Sequence, residues 1–313
     1  MNIVFMGTPE FAVPSLTQLV SNQYQVVAVY TQPDRASGRG RSLISNPVKK
    51  AALGLGLNIM QPVGLKDAGE VQKLASFRPE VIVVAALGQI LPKSVLDIPA
   101  YGCINIHPSL LPEFRGATPI AAAILAGKQF TGVSLMLLDR GMDTGPVLAQ
   151  AQISVSPQDT AASLTSKLSR VAAQLLSEIL PRWLKRGISP RKQEGALASY
   201  TGMLAKEDGE IDWQLPAVDI WRRVRAYYPW PGTYTRWQGR QLRIIEAVPL
   251  AGGGMAKVGQ VVIPDSGKAA LGIGTSDGVL GILRVQLEGK KAMPADEFLR
   301  GQRQLIGAVL PSE

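Results

Sequence analysis

Four short runs of the chain are apolar almost without interruption: "NIVFMG" from Asn2, "QVVAVY" from Gln25, "VIVVAAL" from Val81 and "CINIH" from Cys103. A strand with one face in solvent alternates polar and apolar residues, and a strand buried on both faces does not. Helical stretches lie between these runs: "FAVPSLTQLVSN", with Pro14 in its first turn, then "PVKKAALGLG" and "AGEVQKLASF". Strands apolar on both faces, alternating with helices, predict a mostly parallel sheet covered on each side. Further strands are expected at "LNIMQP", "GVSLMLLD" and "VLAQAQISV", and a further helix at "ATPIAAAILAGK". A long amphipathic helix follows from Asp159 to Gly187, with Asp159 or Thr160 as N-cap and Pro181 as a kink or stop. Residues 1–200 therefore read as one open, doubly wound, Rossmann-like α/β domain.

The pattern changes after "ALASYTGMLAKEDGEIDW", and a boundary is expected near residues 195–207. "AVDIWRRVRAYY" reads as one helix. Short strands separated by turn signals follow, as in "GTYTRW", "RQLRIIEAV", "GQVVI" and "VLGILRVQL". Residues 201–313 thus predict a small all-β, OB-like barrel. Two domains also suit a length of 313 residues.

Composition removes several classes. Cys103 is the only cysteine, so neither an intrachain disulfide nor a Cys/His zinc cluster can form, and no metal is expected. "VIVVAAL" falls short of the roughly 20 apolar residues that span a bilayer. "MNIVFM" lacks the basic segment of a secretion signal. A cytoplasmic monomer without a membrane partner is the expectation. The first strand–helix turn, "FMGTPEF", has one glycine where a dinucleotide fold needs G-x-G-x-x-G, and no P-loop is present. The formal net charge of +9 favours a polyanionic partner.

His107 is the only histidine of the chain. Alternation along "CINIH" puts Cys103, Asn105 and His107 on one face of a strand, with His107 at its carboxyl end. Open α/β sheets bind ligands in the crevice beyond those ends. An amide that donates to an oxyanion and an imidazole that moves protons near neutral pH would project there together. A partly buried histidine that merely caps a strand is the bland alternative. "PSLLPEFRGATP", with three prolines, one glycine and Arg115, makes a stiff loop after His107. "LDRGMDTGPV" carries Asp139 and Asp143 on a glycine-containing loop, and a carboxylate there could orient His107 and raise its pKa. "DRASGRGRS" carries Arg35, Arg39 and Arg41 among small residues, suited to phosphate backbones. Arg222, Arg223 and Arg225 precede the aromatic run "AYYPW", and for both basic stretches a solvated face is the plain alternative.

Together, "NIHPSLLP" and the later "DTG" resemble the formyltransferases that use 10-formyltetrahydrofolate. "FMGTPEFAVPSL", "TQPDRASGRGR", "KEDGEIDW" and "RAYYPWPGTY" are similar to the methionyl-tRNA formyltransferase family in particular, and the likeness covers essentially the whole chain. The resemblance implies transfer of a formyl group from 10-formyltetrahydrofolate to the α-amino group of initiator methionyl-tRNA. It implies that Asn105 and His107 stabilise the oxyanion and that Asp143 keeps His107 protonated. It also implies a folate pocket from Leu87, Gly88 and Ile90 with Ser109, Leu110, Leu111 and Pro112. Contacts to the tRNA acceptor end fall to Arg39 and Arg41, with Arg35 beside them, and the barrel adds further contacts. Glu113-Phe114 and Thr201-Gly202 depart from the family pattern, and neither pair is expected to touch the catalytic trio. Formyl transfer to a sugar nucleotide or to glycinamide ribonucleotide is the nearest rival, and a non-catalytic RNA-binding protein is the rival of another class.

Overall fold

The apolar runs form the centre of a seven-stranded sheet. The computed structural model describes residues 1–37, 42–250, 256–265 and 267–312. The strands of the first two-thirds of the chain are β1 (Asn2–Gly7), β2 (Gln25–Tyr30), β3 (Arg35–Ser37), β4 (Ser42–Ile44), β5 (Ile59–Met60), β6 (Val81–Ala85), β7 (Cys103–His107), β8 (Arg115–Gly116), β9 (Phe130–Leu137), β10 (Val147–Ser154) and β11 (Tyr200–Thr201). The helices are α1 (Val13–Ser21), α2 (Pro47–Gly54), α3 (Ala68–Ser76), α4 (Lys93–Leu96), α5 (Pro119–Leu125) and α6 (Ala161–Leu184). The large sheet has the order β10-β9-β7-β6-β1-β2-β5. Its strands β5, β2, β1, β6 and β7 are parallel, while β9 runs antiparallel to β7 and β10 antiparallel to β9.

Burial explains the uninterrupted runs. Ile3 to Met6 and Val81 to Val83 have no exposed surface. Each large apolar side chain taken out of water contributes about 1.5–3 kcal/mol. The chain leaves β1 for β2 on one side and later returns to β6 on the other, so a crevice opens at the carboxyl ends of β1 and β6. The lone glycine of the first turn serves packing there. A Cβ on Gly7 would lie 2.8 Å from the Ala12 Cβ and 2.9 Å from the Ala85 carbonyl oxygen.

Local signals set the helix ends. The Asn46 side chain accepts from the Lys49 N–H at the start of α2, and Asp67 accepts from Glu70 N–H at the start of α3. Thr160 is the N-cap of α6, its hydroxyl accepting from Ser163 N–H at 3.2 Å. Pro181 lies inside α6, which continues to Leu184 before it stops. The polar stretch after β2, expected to be loop throughout, contains the arms of a small antiparallel pair, β3 and β4.

The rest of the chain holds α7 (Ala217–Ala226), β12 (Thr233–Trp237), β13 (Arg240–Leu250), β14 (Val261–Val262), β15 (Leu271–Gly274), β16 (Val279–Leu287), β17 (Met293–Pro294) and α8 (Ala295–Gly301). Its antiparallel sheet has the order β12-β13-β16-β15-β14, with β17 on β16. Register shifts around Glu246 bend β13, as bulges do in curved sheets. The C-terminal tail spans the open side. Gly307 N–H donates to Val261 O, Leu310 N–H to Gly259 O, and Ser312 N–H to Arg236 O. Trp213, Leu242, Ile282 and other buried apolar residues fill the inside, where the Trp237 ring meets Phe298 edge-on at 6.0 Å.

The chain divides into two compact units. The first comprises Met1–Pro119, Phe130–Ser154 and Thr165–Thr201; the second comprises Ile120–Gln129, Val155–Leu164 and Gly202–Glu313. Segments 120–129 and 155–164 thus cluster with the barrel portion, although both precede the boundary read from composition. Among the described residues, no helix is long and apolar enough to cross a membrane.

Candidate active site

Strand β7 turns its residues alternately, and the consequence is chemical. Cys103, at its start, is buried in the core beside Leu91 and Val95. Burial pushes its thiol up to about 12, which leaves it inert near neutral pH. Asn105 and His107 follow on the same face and reach a cavity of about 450 Å³ at the carboxyl ends of β6 and β7. Asp143 lines the same cavity.

The three side chains converge. Asp143 Oδ2 lies 3.6 Å from His107 Nδ1, and Asn105 Nδ2 donates to Asp143 Oδ1 at 3.4 Å. The Gly116 N–H donates to Asp143 Oδ2 at 2.8 Å. His107 is only 4 % exposed, and its Nε2 lies 3.0 Å from the Phe114 carbonyl oxygen. A carbonyl only accepts, so Nε2 carries the proton and the neutral ring keeps a lone pair on Nδ1. Burial lowers the His107 pKa, overriding the Asp143 carboxylate and the Phe114 carbonyl, which both raise it. Against the expectation that the carboxylate keeps His107 protonated, burial is the larger influence and favours the neutral imidazole.

The loop bearing Asp143 is held from behind. Asp143 itself takes a left-handed backbone, φ 52°. A Cβ on Gly145 would sit 1.8 Å from the Leu137 carbonyl oxygen, so only glycine fits that approach. Gln193 Nε2 donates to the carbonyls of Asp143 and Gly145 at 2.8 and 2.7 Å. Its Oε1 in turn accepts from Arg115 Nε and Nη2 at 3.2 and 2.8 Å. Arg115 is buried and also donates to the Tyr200 hydroxyl at 3.0 Å. Asp139, the other acidic candidate of that loop, caps its own turn by accepting from Gly141 N–H and the Thr144 hydroxyl.

The family departures sit closer to this machinery than their sequence context implied. Phe114 supplies the carbonyl that fixes the His107 tautomer, from a left-handed φ of 58°. Thr201 pairs with Gly116, the residue whose N–H holds Asp143. The reason is topological: β8 and β11 bring residues 85 positions apart into one short parallel ladder.

The cavity wall is apolar on one side, with Val84, Leu87, Ile90, Leu91, Leu96 and Leu138. Leu87, Gly88 and Ile90 lie on it. Ser109, Leu110, Leu111 and Pro112 do not line it. That segment is turned away by its own bonds: Ser109 Oγ donates to Glu113 O, Ser134 Oγ donates to Ser109 O, and Leu111 N–H donates to Ser134 Oγ. Gln150 closes this network on Leu111 O. Arg39 and Arg41 lie outside the described residues, and Arg35 stands in β3 opposite Ile44. Near the foot of that hairpin, Lys49 Nζ pairs with Asp34 at 2.6 Å and Gln61 donates to Asp34 Oδ1 at 3.0 Å, bonds that hold the Asp34 carboxyl below the usual range. Gln193 and Tyr200 carried no motif that pointed to the site. Among the described residues, no group of three His, Cys, Asp or Glu could hold a metal.

Residues 1–180 match the Formyl transferase family and residues 203–303 match Formyl transferase, C-terminal domain. A methionyl-tRNA formyltransferase of Dehalococcoides mccartyi is 49% identical over 310 residues, covering 99% of this chain and 98% of its own. One from Chloroflexus aurantiacus is 48% identical over 301 residues, covering 96% and 97%. Two solved structures share the fold at 19% identity. HypX from Aquifex aeolicus in complex with tetrahydrofolic acid has a TM-score of 0.64 over 96% of this chain and 47% of its own. The sugar 3N-formyl transferase WlaRD has a TM-score of 0.65 over 93% and 99%. With both formyltransferase domains present and curated relatives near half identity along its full length, the chain belongs to the methionyl-tRNA formyltransferase family.

Proposed function

We propose that the chain transfers the formyl group of 10-formyltetrahydrofolate to the α-amino group of initiator methionyl-tRNA, giving formylmethionyl-tRNA for translation initiation. The observation that carries the chemistry is the setting of His107, whose Nε2 lies on the Phe114 carbonyl and whose Nδ1 is turned toward Asp143. Its free Nδ1 faces Asp143 at 3.6 Å, too far for a direct hydrogen bond. A proton arriving on Nδ1 from an attacking amine would meet the carboxylate at once. His107 therefore accepts the amine proton as the new C–N bond forms and returns it to the departing N10 as the donor's C–N10 bond breaks, with Asp143 stabilising the imidazolium between the two steps. Asn105 presents an amide donor beside them, suited to negative charge developing on a carbonyl oxygen. A donor of this kind is worth about 2.7–4 kcal/mol in a water-excluded site. The amine must be neutral to attack, so activity requires it deprotonated as well as His107.

The cavity suits the folate donor in size and character. A flat heteroaromatic ring would lie against Leu87, Ile90, Leu91 and Leu138. A side chain at Gly88 would meet Gln32 Nε2 at 2.4 Å, breaking the bond that Gln32 makes to the Leu87 carbonyl. The donor supplies an activated formyl carbon, and the chain supplies orientation, proton acceptance and exclusion of water. Arg39 and Arg41, with Arg35, would contact the acceptor end of the tRNA, and cations of the barrel portion would add salt-dependent affinity. Such a partner fits work in the cytoplasm, where the chain would act as a monomer.

The test is formyl transfer from 10-formyltetrahydrofolate to charged initiator tRNA, with free methionine, a nucleotide-linked amino sugar and glycinamide ribonucleotide as parallel acceptors. Formyl incorporation into methionyl-tRNA in preference to the others is the expected outcome. Transfer only to another amine would discard the tRNA acceptor while keeping the trio.

A further inference from the structure

The end of β7 opposite His107 carries a second concavity. Tyr101, two residues before the strand, lines it with Ala100, Trp183, Arg186, Ile188 and Pro190, in a notch of about 330 Å³. Strand β7, about 13 Å from Cys103 to His107, lies between the two ends. None of the residues that line the notch lines the formyl cavity.

Its rim is strongly cationic. Arg182, Lys185, Arg186, Arg191 and Lys192 fall within residues 182–192, and no acidic residue lies among them. All five are exposed. Among the described residues, none forms an ion pair. The helix dipole accounts for cations in the last turn of α6, but Arg191 and Lys192 lie beyond that turn, after the bend at Gly187 to Pro190. Helix α6 ends with Gly187 N–H on Arg182 O and Arg186 N–H on Trp183 O. In that terminating motif the residue with left-handed φ is usually glycine. Here it is Arg186, φ 56°, and its guanidinium stands 5.9 Å over the Tyr101 ring. The indole N–H of Trp183 is used on the Tyr101 carbonyl at 2.9 Å, which fixes the ring as part of the wall. Aromatic faces beside arginine, with unpaired cations around them, are what a base and its flanking phosphates require.

We propose that this notch is a second RNA-contact surface, in which Tyr101 and Trp183 receive one unpaired base and Lys185, Arg186, Arg191 and Lys192 hold the adjoining phosphates. Taking RNA as the polyanion rests on the proposed function; the RNA is either a further segment of the acceptor tRNA or a separate strand. The segment also touches the site by a short path. Arg191 pairs by its backbone with Val147 through two bonds of 2.8 Å, and Gln193, two residues on, holds the Asp143 loop. The notch and the catalytic loop thus share one strap of chain.

The test uses the full chain, an unstructured twelve-nucleotide oligocytidylate, deacylated initiator tRNA and phosphatidylglycerol vesicles. The oligonucleotide should quench indole emission, and Trp183→Phe should remove that quench. Lys185→Gln/Arg191→Gln/Lys192→Gln, all exposed positions, should weaken oligonucleotide binding about tenfold or more at low salt. The same variant should lower the log–log salt slope by about 2, at about 0.7 per lost cation for a single strand. Its kcat at saturating methionyl-tRNA should be unchanged. Arg186→Gly, which suits the helix end, should weaken binding without loss of folding. Competition between oligonucleotide and tRNA would assign the notch to the acceptor tRNA; a ternary complex would assign it to a separate strand. Unchanged affinity and slope in the triple variant, a quench that survives Trp183→Phe, or binding to vesicles alone would overturn the proposal. Oligonucleotide binding needs neither formyl donor nor acceptor, so failure of the proposed reaction would leave this test standing.

Discussion

The two ends of strand β7 solve different problems. At the His107 end the polar groups are buried and held by short bonds: Phe114 fixes the imidazole, Gly116 the carboxylate, and Gln193 the loop beneath it. At the Tyr101 end the cations are exposed and unpaired among the described residues. Burial gives one end a single tautomer and a defined proton path, because desolvated groups cannot reorient cheaply. Exposure gives the other reach, since charges on long flexible stems can follow an irregular polyanion. Substitutions at the first end should act on turnover, and substitutions at the second on salt-dependent binding.

The largest effect should come from His107→Gln and Asp143→Asn. Each should lower kcat/KM by about 10²–10⁴-fold, with far-UV circular dichroism unchanged. A loss below tenfold in either would take that residue out of the proton path. Gly145→Ala comes next. The added methyl must displace the Leu137 carbonyl, so chemical denaturation should report a loss of about 1–3 kcal/mol and turnover should fall with it. Gln193→Leu removes two donors from the Asp143 loop and should lower kcat about tenfold, with KM for the formyl donor little changed. A rise in KM alone would mean that Gln193 supports binding rather than the position of Asp143.

Smaller still is a difference in pH dependence. The folded-state pKa of His107 is depressed, so the unfolded chain binds its proton more readily. The associated stability is complete above pH of about 6.5 and is lost as pH falls from there through the folded-state pKa. His107 is the only histidine, so urea denaturation of the wild type between pH 7 and 5.5 should decline more than that of His107→Gln. Parallel declines would remove burial as the cause. The smallest effect separates two segments expected to share the folate. Ile90→Ala, on the cavity rim and 78% exposed, should raise KM for the donor with under about 0.5 kcal/mol lost in stability. Ser109→Ala should do the reverse, costing about 1 kcal/mol through its bond to Glu113 while leaving KM alone.

These contrasts also mark what could be read from the chain. Strands β1, β2, β6 and β7 stand out because burial on both faces leaves few polar residues within them. The place of His107 at a strand end followed from alternation within five residues. Asp143 was nominated from its loop and from family resemblance, but its approach to Asn105, across 38 positions, is a tertiary fact. Gln193 went unnoticed because a glutamine that holds a carbonyl 50 positions away has no local signature. The two-residue strands β8 and β11 exist only through each other. The influence of burial on His107 is hidden for a related reason: an adjacent acid is visible in a sequence, whereas the depth of burial that outweighs it is not. Folate contacts at Ser109 to Pro112 came from resemblance, and the hydrogen bonds that turn that segment from the cavity run to Ser134 and Gln150 on other strands.

The most direct measurement is a proton and nitrogen NMR titration of the single imidazole in the full chain. A midpoint below 6.5, with the neutral ring protonated on Nε2, is the result this account predicts. A midpoint above 6.5, or a neutral ring protonated on Nδ1, would contradict it, because His107 would then face the acceptor amine with a proton already in place.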